Sequence, residues 1–114
     1  MLFAKTEHKE MSLSFVYDDN SCYYDMGHLC IISPSYVFGA DKCLFITFKV
    51  SVEDLDYLTN VLKKSSGRLV KLVVEMRGNK VKNVYLDINH FADICGDDRI
   101  KNIDIVDCGL KKRK

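Results

Sequence analysis

The sequence has no tryptophan, one proline and no apolar run long enough to cross a bilayer. Its longest uncharged stretch, Met26 to Ala40, is broken by Gly27, His28, Ser33, Pro34, Ser35 and Gly39. A spanning helix needs about 20 predominantly apolar residues. The opening MLFAKTEHKE lacks the apolar centre of a secretion signal. The expectation is a cytosolic protein, of the cell that makes it or of a host.

Catalytic and cofactor motifs are missing as well. There is no GxGxxG, no phosphate-binding loop and no GxSxG elbow. DDNSCYYD lacks the central Gly and closing Glu of a calcium loop. Five cysteines, Cys22, Cys30, Cys43, Cys95 and Cys108, form no CxxC pair and are odd in number. Without a secretion signal they read as free thiols. His28 and Cys30 share a strand face, and Cys22, Cys43, His90 and Cys95 could approach them. Zinc needs four such ligands in a tetrahedron, and the spacing that would announce them is absent. A Cys paired with His8, His28 or His90 could act as a nucleophile, yet no local signature marks one. The carboxylate pairs Asp18/Asp19, Asp54/Asp56 and Asp97/Asp98 lie in turns or at a helix start, where capping accounts for them. No enzyme, no metal and no cofactor are expected.

What is present is a globular composition. The 114 residues are 47% hydrophobic and 29% charged, enough for one α+β domain over residues 1–110 with a basic tail at 111–114. MSLSFVYDD alternates apolar and polar residues as a strand does. CYYDMGHLCII reads as a second strand bent at Gly27, so residues 11–38 form an N-terminal hairpin region. KCLFITFKV is the strongest strand, with Leu44, Ile46, Phe48 and Val50 on one face. Ser51 and Asp54 resemble a capping box, and Val52, Leu55, Leu58, Val61 and Leu62 recur at helical spacing. The principal helix is therefore Val52 to Lys64, ending at a Gly67 C-cap.

RLVKLVVEMR and KVKNVYLDI flank the dipeptide Gly78-Asn79, a two-residue hairpin signal. That register sets Glu75 against Lys82, Met76 against Val81, Val73 against Val84 and Leu72 against Tyr85. NHFADIC reads as a short helix capped by Asn89, and IKNIDIVDC as a last strand. From residue 42 to 108 the order is β-α-β-β-(α)-β. Two arrangements fit: a ferredoxin-like βαββαβ sheet, or another mainly antiparallel sheet carrying the one principal helix.

Charge is uneven. Residues 1–60 hold four basic and nine acidic residues, a net of −5, and residues 61–114 hold thirteen and seven, a net of +6. Each half suggests a partner. Asp18, Asp19, Asp25 and Asp41 alternate with Tyr23, Tyr24, Tyr36 and Phe38. Tyrosines anchor and carboxylates steer, so this surface suits a basic protein. A protein-binding inhibitor or immunity-type accessory factor is the first expectation. The alternative is a nucleic-acid binder. Arg68, Lys71, Arg77 and Lys80 cluster around one hairpin, and Lys111, Lys112, Arg113 and Lys114 close the chain, as phosphate neutralisation requires. Tyr85 is the one aromatic on that hairpin, so base stacking of the RNA-recognition-motif kind is not expected.

Overall fold

The computed structural model describes residues 6–34 and 40–112. Tyr36, Phe38, Arg113 and Lys114 lie outside the described residues. Within them run β1 (Thr6–Ser14), β2 (Cys22–Asp25), β3 (His28–Pro34), β4 (Lys42–Lys49), α1 (Val52–Ser65), β5 (Leu69–Arg77), β6 (Lys80–Leu86), α2 (Ile88–Cys95) and β7 (Asp104–Lys112). Single 3-10 turns occupy Asp19–Ser21 and Asp98–Asn102. No helix among the described residues is long and apolar enough to cross a membrane.

The strands form two antiparallel sheets, in the orders β1-β5-β6 and β2-β3-β4-β7. The α+β class, the antiparallel pairing and the principal helix are as the sequence predicts. Of the two arrangements that fit the sequence, the ferredoxin-like one is not adopted. A split βαβ unit needs parallel strands in one sheet, whereas β4 pairs antiparallel with β3 and β7, and β5 belongs to the other sheet.

The N-terminal hairpin is shorter than the 11–38 region. β1 pairs with β5, Leu13 opposite Val70, and not with the strand that follows it. The hairpin is instead β2–β3, with Asp25 opposite His28. The expected bend at Gly27 is a two-residue turn in which Met26 (φ 49) and Gly27 (φ 79) both take positive φ. Positive φ at both central positions is what a type I′ hairpin demands, and its hand matches the twist of the strands. Met is rarely used there, so the turn carries no sequence signal.

The helix α1 follows its signals closely. The Ser51 hydroxyl accepts from the Asp54 amide at 3.3 Å and donates to the Asp54 carboxylate at 3.2 Å. Leu58, Val61, Leu62 and Ser65 are its buried residues. It ends at Ser66, after which Gly67 takes a φ of 85. The cap of α2 is Asp87 rather than Asn89, its carboxylate accepting from the His90 amide at 3.1 Å. The last strand also shifts. Asp97 caps a 3-10 turn that absorbs residues 98–102, and β7 continues through Lys111 and Lys112.

The hairpin β5–β6 contains a bulge. Met76 faces Val81 as expected, but the register slips between Glu75 and Met76, so Glu75 faces Asn83 and Val74 faces Val84. Lys82 is the extra residue. The slip puts Val84 and Leu86 on the same face as Val74 and Leu72 and leaves Tyr85 46% exposed.

One core serves both sheets. Phe15, Phe48 and Phe91 are fully buried within it, joined by Leu44, Leu72 and Ile100. Phe15 meets Phe91 edge to face, with centroids 6.0 Å apart. The chain crosses between sheets beside it, and every backbone amide there finds a partner. Phe15 donates to the Arg68 carbonyl at 3.1 Å, Val16 to the Ser33 hydroxyl at 3.0 Å and Tyr17 to the Ser66 hydroxyl at 3.1 Å. Buried amides without such partners would destabilise the fold.

Candidate functional site

Among the described residues, the acidic, tyrosine-rich set does not share one face. Tyr23 and Tyr24 are consecutive on β2, so they point to opposite sides. Tyr23 is 58% exposed, while Tyr24 turns inward and its hydroxyl donates to the Val50 carbonyl at 3.0 Å. Asp18 caps the first 3-10 turn, and Asp19 lies 3.8 Å from the Lys63 ammonium. Asp25 sits at the His28 end of the second sheet, and Asp41 precedes β4 at the Pro34 end. The length of β3 separates them, roughly 20 Å at the rise of a strand.

The basic set is redistributed more usefully. Lys71 lies 3.1 Å from Glu10, and Lys82 lies 3.5 Å from Glu75. Arg68 is exposed just before β5. Arg77 and Lys80 face one another across the hairpin tip. Lys112 lies directly across from Lys42 on the neighbouring strand. The Lys111 ammonium sits 4.7 Å above the Phe45 ring.

Of these residues, Lys80 and Lys82 line the groove where the two sheets meet, and Lys42 joins them there. β6 is the edge of one sheet and β7 the edge of the other, and no ladder joins them. They run antiparallel to each other along an open groove. One lobe, about 670 Å³, is lined by Lys42, Lys80, Lys82, Phe45, Val84 and Leu110 among others. Asp107 is the one acid among the described residues lining it. Lys42 belongs to the acidic half of the sequence, and its place beside Lys80 is set by sheet pairing. Sequence reasoning missed it for that reason.

The second lobe, about 490 Å³, lies towards the other end of the seam. It is lined by Tyr85, Ile88, Ile105, Val106, Lys101, Asp104 and Asp107 among others. Val106 is 50% exposed. The two lobes share Asn83, Asp107 and Cys108. Burial pushes the Cys108 thiol up to about 12, despite a bond from the Leu86 backbone that favours the thiolate. A neutral buried thiol is a wall, not a nucleophile.

Elsewhere the polar groups have structural work. The Arg99 guanidinium lies 4.1 Å over the Tyr57 ring and bonds the Asp54 carboxylate at 2.5 Å, fastening the second 3-10 turn to α1. The Arg99 amide donates to the Asp97 carboxylate at 2.8 Å, the main reason its acidity is increased. Cys95 rests 3.2 Å from the Ser65 hydroxyl, and burial raises its pKa. Among the described residues no three His, Cys, Asp or Glu side chains gather as a metal site would require.

No known protein family matches the chain, and neither does any curated protein or solved structure.

Proposed function

We propose that this chain is a non-catalytic binding protein whose target is nucleic acid, held by its phosphates on the lysine lobe of the β6–β7 groove. The observation that carries the reading is the convergence of the start of β4, the β5–β6 hairpin and the end of β7 on one concave surface. Lysines from two separate segments meet there, Lys42 from β4 and Lys80 and Lys82 from β6, with Asp107 the single acid among the described lining residues. A cleft lined by one sign of charge concentrates field and attracts a polyanion. Phosphate neutralisation releases bound counterions and gives affinity without sequence preference. Among the described residues behind an inhibitor role, Tyr24 turns inward and Asp25 and Asp41 stand at opposite ends of β3, which favours the groove as the binding surface.

The test is anisotropy with a labelled single-stranded oligonucleotide across a salt series. If Lys42, Lys80 and Lys112 each neutralise one phosphate while Glu75 holds Lys82, log affinity falls against log salt with a slope of about −2. Lys42→Glu combined with Lys80→Glu is expected to lower affinity at least about tenfold at low salt. Binding that ignores salt, or polyglutamate of equal charge competing equally, would overturn the reading. The second outcome would make the groove a site for an acidic protein.

A further inference from the structure

We infer that the Tyr85 lobe of the groove receives unstacked bases, so that the ligand is a single strand with its phosphates on the lysine lobe and one or two bases against Tyr85. This rests on the nucleic-acid reading and narrows it to a substrate class.

The two lobes differ in chemistry and are continuous. The lysine lobe offers cations. The other offers an aromatic ring and aliphatic side chains beside Asp104 and Asp107, and its one cation among the described lining residues, Lys101, is paired with Asp98 at 3.2 Å. Tyr85 is 46% exposed on an edge strand, and across the seam Val106 is 50% exposed. Large apolar side chains left open inside a concavity mark a site that an apolar surface covers. Asp104 and Asp107 form no ion pair among the described residues. Carboxylates there repel phosphate and accept hydrogen bonds from exocyclic amino groups of bases. A phosphodiester chain entering from the lysine lobe therefore meets a change of surface, from one that holds phosphate to one that holds a flat ring.

A duplex cannot use the second lobe, because its bases are paired and stacked inside. A single strand can splay its bases out onto an aromatic side chain. The bulge at Lys82 is what makes this possible. It turns Val84 inward and leaves the Tyr85 ring at the groove.

The test uses three labelled probes on the full chain: an oligo-dC dodecamer, an abasic dodecamer of equal charge, and a blunt duplex. The dC strand is expected to bind about tenfold tighter than the abasic strand. Tyr85→Ala should remove that advantage while leaving abasic binding unchanged, and Tyr85→Phe should keep it. Equal loss on both single strands, or no loss on either, would overturn the inference and leave phosphate binding intact. Failure of all three probes to bind would overturn the nucleic-acid reading itself.

Discussion

The Glu75 carboxylate sits 3.5 Å from the Lys82 ammonium although the bulge has moved Lys82 out of register with it. Asn83 takes the facing position and donates to the same carboxylate at 3.3 Å. One acid thus restrains a lysine that lines the groove. Glu75→Gln should free Lys82 for phosphate, steepening the salt slope of oligonucleotide binding by about 0.7. The loss of stability should stay below about 1 kcal/mol, since the lysine is half exposed. An unchanged slope would place Lys82 outside the contact.

Gly109 on β7 faces Phe45 on β4. A Cβ there would lie 3.0 Å from the ring's Cε1 and 3.1 Å from its Cζ. Lys111 covers the ring, so the ring has little room to swing aside. Gly109→Ala is therefore expected to destabilise the protein by about 1–3 kcal/mol, read as a lower urea midpoint. A midpoint equal to that of the parent would mean that the ring moves freely.

Met26 holds a φ of 49 while its side chain is 88% exposed, so nothing in the core depends on it. Asn-Gly is the favoured pair for such a turn. Met26→Asn should stabilise by about 1 kcal/mol, the order of the left-handed penalty it relieves. Denaturation curves that overlay would show that Met26 carries no strain.

Alkaline stability should report on Cys108. Its thiol titrates at about 12 in the folded chain against 9.0 in an open one. The unfolded chain therefore sheds this proton first. The contribution to stability is complete below pH 9.0 and is lost progressively as pH rises towards 12. Between pH 8 and pH 10.5 the parent's urea midpoint should fall further than that of Cys108→Ser. Parallel declines would show that the thiol ionises as easily when folded.

The parts legible in the sequence are those decided locally. Ser51 and Asp54 announce the start of α1, and the alternation in β4 separates Leu44, Ile46 and Phe48 from the outer face. Pairing of distant strands leaves no such mark. Nothing near Leu13 says that Val70 will lie opposite, because that choice is made by the shared core. The Met26 turn was hidden by a residue type seldom used at positive φ. The bulge was hidden because both registers give Glu75 a polar neighbour, Lys82 in one and Asn83 in the other. The site fails to show for the same reason as the strand pairing. Arg77 and Lys80 stand out as hairpin-tip cations, but Lys42 looks like an ordinary strand start until β7 is laid beside β4. Tyr85 is the one aromatic of its hairpin, and its neighbours across the groove come from elsewhere in the chain. Val106, its companion across the seam, comes from β7.

The absence of a ladder between β6 and β7 also has a mechanical meaning. Moving strands apart within a sheet breaks a ladder of backbone hydrogen bonds, whereas between these two edges there is no ladder to break, only the bond from the Leu86 backbone to the Cys108 thiol. Side-chain packing in the shared core, rather than a ladder, is therefore what holds this seam. Its width can follow the thickness of whatever lies in it while each sheet keeps its own register. The tethered crossing at Phe15, Val16 and Tyr17 resists separation at another junction of the two sheets.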